Sequence, residues 1–174
     1  MKKHIIIGFL LCIVFLGGCS KEQKYEEFFQ QKMTEMHTDE KNYSYSLIHT
    51  ELNAVHEDDA IAVFKEHNNQ GEQIFIAYFA KENNQWEWKQ TRGAELDSPV
   101  KWSSMNQAPF IYSGSISDNS IVEVFAGDEP ATIINVDGDN RFWYVISPIK
   151  DVEVMTVEKD GTKEIIEEIN REEI

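Results

Sequence analysis

Few side chains in this sequence are of the kinds that do chemistry, and their spacing limits what each could do. Cysteine occurs only at Cys12 and Cys19, so any thiol chemistry rests on those two positions. His37, His49, His56 and His67 are scattered among acids such as Glu51 and Glu57. A zinc ion needs four N, S or O donors converging at tetrahedral geometry. His56-Glu57-Asp58-Asp59 lacks the second histidine that would share one helix face with the first. Some of these histidines could meet in space with Glu51 or Glu57, but solvated side chains on strands explain them more simply. Asn135-Val136-Asp137-Gly138-Asp139-Asn140 clusters oxygen donors around a glycine, yet the twelfth-position glutamate that closes a calcium loop is missing. A tight hairpin turn accounts for the same residues. Neither a metal nor a cofactor is expected.

Trp86 and Trp88 stand two apart, which puts both on one face of a strand. If exposed, they form a ligand or partner surface suited to sugar rings or a peptide. If buried, they are ordinary core, with Glu87 and Lys89 facing water. Phe142 and Tyr144 against Trp143 pose the same choice. Ser98-Pro99-Val100-Lys101 and Ser117-Asp118-Asn119 resemble the Ser-x-x-Lys and Ser-Asp-Asn elements of penicillin-recognising enzymes. In those enzymes Ser-x-x-Lys opens a helix, whereas β-like residues follow Lys101 here. A Lys-Thr-Gly element is also missing, and the chain is too short for that fold. It contains no Gly-x-Ser-x-Gly elbow, phosphate loop or His-Glu-x-x-His. No catalytic residue is assigned, and the expectation is a non-enzymatic protein.

The cysteines are more informative. Lys2 and Lys3 precede an apolar run from Ile5 to Phe15, and Leu16-Gly17-Gly18-Cys19 follows with small residues before a cysteine. That order is expected of a secretory signal, and the run is short of the roughly 20 residues a membrane-spanning helix needs. Leu16-Gly17-Gly18-Cys19 resembles the bacterial lipobox. The resemblance implies cleavage between Gly18 and Cys19, acylation of the Cys19 thiol, and a chain held by membrane lipid on the extracytoplasmic face of the cell membrane. Two or more acyl chains give stable attachment without help from the protein. Cys12 would leave with the signal, so the domain is expected to have no disulfide and no free thiol.

Charge narrows the partners. The full chain carries a net charge of −15. Loss of residues 1–18, with Lys2, Lys3 and no acid, takes it to −17. Such a surface is repelled by nucleic acid phosphates and anionic headgroups, so nucleic acid is excluded as a partner. The charge leaves a cationic partner or simple solubility, the commoner of the two, and the anchored reading makes an envelope protein the partner to expect.

The positioning elements follow from periodicity. After the signal (1–18), residues 19–42 comprise the anchor and an amphipathic helix over Lys21–Lys41, on which Tyr25, Phe28, Phe29, Met33 and Met36 recur three and four apart. The helix either docks on the domain or serves as a stalk. From residue 43 to 98 the period falls to two, and strands separated by Asn68-Asn69-Gln70-Gly71 and Asn83-Asn84 read as a meander. Residues 99–109, with Pro99 and Pro109, read as a crossover. In 110–174 six strand-like runs are punctuated by Ala126-Gly127-Asp128, Asp137-Gly138 and Asp160-Gly161. The last of them is expected over Lys163–Ile169. The expected fold is mainly β (α+β): an N-terminal amphipathic helix, then an antiparallel two-layer β-sandwich or partly closed barrel, with a length that fits one compact domain.

With Ala60-Ile61-Ala62-Val63-Phe64, Trp86-Glu87-Trp88 and Arg141-Phe142-Trp143-Tyr144, this layout resembles small β-rich lipoproteins of Gram-positive bacilli. The resemblance implies a binding, accessory or sensing module at the cell envelope. The alternative is a small-ligand or metal-binding lipoprotein that uses histidines and aromatic side chains.

Overall fold

The computed structural model describes residues 23–94 and 102–166. The expected signal over 1–18, the expected lipidation residue Cys19, the Ser98–Lys101 motif and the chain beyond Ile166 lie outside the described residues. Among the described residues the fold is mainly β with one helix, in three antiparallel four-stranded sheets, none closed into a barrel.

Helix α1 spans Tyr25–Met36. It covers the apolar positions Tyr25 to Met36 and ends before the expected Lys41. Thr38 donates to the Thr34 carbonyl (2.7 Å), His37 has left helical geometry, and Asn42 adopts φ +67°. Glu26 and Glu27 sit in its first turn, where the helix dipole favours negative charge. A twelve-residue helix is marginal alone, so packing must hold it.

That packing is against sheet A, formed by β1 (Ser44–Leu52), β2 (Asp59–Asn68), β3 (Gly71–Glu82) and β4 (Gln85–Ala94) in sequential order. Side chains alternate along β2. Ala60, Ala62 and Phe64 meet Tyr25, Phe28, Phe29 and Met33 of the helix. Ile61 and Val63 point the other way. Burial on both faces explains why Ala60–Phe64 is an unbroken apolar run rather than an alternating one. The helix side is an aromatic mosaic: Tyr25 meets Trp86 edge-on at 5.1 Å, and Phe29 meets Phe64 at 5.3 Å. Each such pair adds roughly 0.5–1.5 kcal/mol beyond burial.

The second half interleaves two sheets. Sheet B has the order β5-β6-β10-β9, from Trp102–Ser104, Phe110–Ile116, Asn140–Ser147 and Thr132–Asp137. Sheet C has the order β12-β11-β7-β8, from Lys163–Ile166, Val154–Glu158, Ile121–Ala126 and Glu129–Pro130. The segment expected to be a plain crossover thus carries β5. Trp102 and Met105 are buried there, the former donating its indole N–H to the Ile166 carbonyl at 2.8 Å.

Sheet B is packed on both faces. Phe142 and Tyr144 face sheet A with Ile111, while Trp143 and Val145 face sheet C with Tyr112, Val124 and Val154. The layers therefore run helix, sheet A, sheet B, sheet C. The Arg141-Phe142-Trp143-Tyr144 aromatics resolve as core on two faces of one strand. Lys65 ties two layers at their edge, pairing with Glu72 of β3 and with Asp137 beside the β9–β10 turn.

Candidate functional site

Trp86 and Trp88 share one face, as their spacing requires, but that face is covered. Trp86 is 8 % exposed, and its indole donates to the Gln23 carbonyl at 3.1 Å. Trp88 is half-buried against Phe64 and Phe79, with its indole N–H donated to the Thr91 hydroxyl. An open aromatic platform is thus not what these residues form; helix α1 occupies the place a ligand would take. Covering that face removes far more apolar area from water than leaving it open.

The histidines are dispersed. His37 stacks on Tyr43 with centroids 3.7 Å apart, and its Nδ1 lies 2.9 Å from Glu40. His49 Nε2 lies 3.3 Å from the Tyr144 hydroxyl, which itself donates to Glu51. This trio bridges β1 of sheet A and β10 of sheet B. Burial, then the neighbouring Glu51 carboxylate, pushes the Tyr144 phenol well above its ordinary value, so it remains a neutral donor. His56 lies in the β1–β2 loop and His67 near the end of β2. Among the described residues no group of three His, Cys, Asp or Glu side chains is placed to hold a metal ion.

The other two motifs are turns. Asp118 accepts from the Ser120 amide at 2.7 Å, and Arg141 donates to the Asp118 and Ile121 carbonyls. Gly138 takes φ +54° in the hairpin between β9 and β10, where the Lys65 ammonium holds the Asp137 carboxyl below its ordinary range.

A concavity lies elsewhere, with His56 alone of these residues in its lining. A cleft of about 790 Å³ opens between the ends of sheets A and B. Its apolar lining is Val55, Ala80, Pro109, Phe110 and Ile146, with Ala54, Ala108 and Pro148 beside them, and polar side chains such as Tyr78, Gln90 and Ser147 complete it. Small-ligand sites typically span about 300–1,000 Å³.

One wall is the loop from Asn53 to Asp58, and the buried Asp59 carboxylate fixes it. Asp59 is 2 % exposed and accepts from the His56 amide (2.8 Å), the Val55 amide (3.3 Å) and the Tyr78 hydroxyl (3.1 Å). Burial and the Asp59 charge push the Tyr78 phenol up to about 12. Asn53 and Asp58 both take positive φ, and the Asn53 side chain accepts from the Asp58 amide at 3.1 Å. The loop is therefore pre-shaped by local bonds, and Ala54, Val55 and His56 face the cleft as a consequence.

The opposite wall is pinned by Gln90. Its amide donates to the Gln107 carbonyl and accepts from the Gln107 amide, at 3.0 and 3.3 Å, copying one rung of a ladder. A cis bond precedes Pro109 there. At the rim, Lys89 pairs with Glu82 and Glu87. Asn53 and Asp58-Asp59 flanking a strand end were the one signal in the sequence that a fixed loop stood here.

No protein-family model matches the chain, and no curated protein or solved structure matches it either.

Proposed function

We propose that this protein is a lipid-anchored lipoprotein on the extracytoplasmic face of the cell membrane. In this reading its domain acts as a non-enzymatic binding, accessory or sensing module toward an envelope partner. The observation that carries the reading is Leu16-Gly17-Gly18-Cys19 at the end of a charged and then apolar leader. The docked helix supports it. The Gln23 carbonyl, bound by Trp86, lies only four residues after Cys19. Four residues reach at most about 14 Å, so acyl chains on Cys19 would keep this end of the domain against the bilayer. The cleft between sheets A and B supplies the binding element.

Cys19→Ser tests the anchor. Metabolic labelling with a fatty acid should mark the natural chain and leave the variant unlabelled and released from membranes. A variant that still labels and sediments with membrane refutes the reading.

A further inference from the structure

The cleft and the start of the helix lie at the same end of the domain. Trp86, which holds Gln23, is the register partner of Lys81, and Lys81 sits between Ala80 and Glu82, both of which line the cleft. The far end of the helix is elsewhere, where His37 stacks on Tyr43. An anchor at Cys19 would therefore bring the mouth of the cleft to the membrane surface.

The charge at this mouth is net negative. Glu57 and Asp58 stand on the loop that forms one wall, and Glu82 and Glu87 stand on the β3–β4 hairpin. Among the described residues the ammonium groups of Lys81 and Lys89 face these four carboxylates. Lys81 pairs with Asp58 at 2.9 Å, and Lys89 pairs with Glu82 and Glu87. Among the described residues both of these lysines are already paired with carboxylates, which disfavours a phosphate or a fatty-acid carboxylate, and the chain as a whole carries −15. The interior accepts apolar groups, because Val55, Phe110 and Ile146 line it and Gln90 has spent its amide on Gln107.

We propose that the cleft docks a cationic amphipathic peptide at the bilayer surface, with its apolar side chains between the sheets and its positive charges on the acidic mouth. Such peptides concentrate at membrane interfaces, which is where an anchored chain would meet them. The place of the encounter rests on the lipid-anchored reading; the chemistry of the cleft does not.

The test uses the full-length acylated chain in phosphatidylcholine vesicles and three fluorescent peptides of equal length. One is an amphipathic Leu/Lys peptide, one its Leu/Glu counterpart, and one a Ser/Lys peptide without an apolar face. Protein-free vesicles supply the blank. The Leu/Lys peptide should bind about tenfold or more tighter than either control, and more weakly as salt rises. Glu82→Lys should cost about tenfold and flatten the salt dependence. Ala108→Trp, at an exposed position beside the cleft, should block binding while the melting temperature stays unchanged.

Equal binding of the three peptides, a preference for Leu/Glu, or indifference of Leu/Lys binding to both substitutions would overturn the proposal. So would preferential uptake of an uncharged lipid dye. If Ala108→Trp misfolds, the peptide series and Glu82→Lys still decide. Mass and vesicle flotation of the purified chain report the anchor separately. An unacylated chain that binds the peptide refutes the anchor alone; an acylated chain that ignores it refutes the cleft proposal alone.

Discussion

Asp59 is the residue on which the cleft's shape depends most directly, and its removal has a calculable cost. Asp59→Ala strips acceptors from the Val55 amide, the His56 amide and the Tyr78 hydroxyl in a site that is 2 % exposed. A hydrogen bond to a charged group contributes about 1.5–3 kcal/mol, and a buried donor left unpaired costs about 1–3 kcal/mol. The Val55 contact, at 3.3 Å, is the weakest of the three. Water can reach the amide of the exposed His56, so the sum stays below three full bonds. The expected loss is about 3–4 kcal/mol in urea-unfolding stability. Asp59→Asn keeps one acceptor oxygen and should cost about half as much. Tyr78→Phe removes only the hydroxyl contact and should cost about 1 kcal/mol in the natural chain. In the Asp59→Ala background Tyr78→Phe should be neutral or mildly stabilising, because it then deletes an orphaned donor. The coupling belongs to a double-mutant cycle. Amide exchange at Val55 and His56 should accelerate in Asp59→Ala while exchange in β6 and β10 does not. If Asp59→Ala costs less than about 1 kcal/mol, or exchange rises equally everywhere, the loop is not held in the way described.

Two further outcomes follow from the helix and the phenols. Phe29→Ala, which vacates the space between Phe64, Phe79 and Trp88, should cost about 3–5 kcal/mol and expose the indoles, read as a red shift of tryptophan emission; an unshifted spectrum would mean the helix does not cover that face. Burial raises Tyr25, Tyr43 and Tyr144, and Tyr78 goes up to about 12 from an ordinary 10.0, so the native state holds protons that the unfolded chain has lost. That stabilisation is fully present below pH 10 and lost as pH rises toward 12. Ultraviolet titration should therefore show these phenols ionising together with alkaline unfolding, and smooth ionisation near pH 10 in the folded chain would contradict it.

The elements were legible in the sequence wherever one local signal determined them. The alternation of Trp86 and Trp88, the Asn and Asp-Gly turns and the unbroken Ala60–Phe64 run each translate into the structure because they depend on near neighbours. The pairing of strands did not. Arg141 lies opposite Ile116 in sheet B, and no pattern of side chains along either strand names the other. Strand β5 was hidden for the same reason. Three residues, Trp102–Ser104, are too few for a period, and their place comes from pairing with β6. The cleft was least legible of all, because its walls come from Tyr78, Val55, Pro109 and Ile146, four separate segments. Their convergence is a property of how two sheets stack, which composition and spacing do not encode.

The alternation of strand pairs between sheets B and C bears on how the chain acquires its shape. Sheet A can form from contiguous hairpins as soon as residue 94 is available. Sheet B, by contrast, must wait for β10 to return to β6, and β7 and β8 intervene on the way to sheet C. Sheet B can complete only once Ser147 is available and sheet C only once Ile166 is, so both consolidate late. Loop closure over such separations slows folding relative to local hairpins. A chain that emerges N-terminus first would therefore hold a helix-capped first sheet with Ile61, Val63 and Tyr78 still bare. That interval is when this protein is most open to aggregation and to attack by proteases.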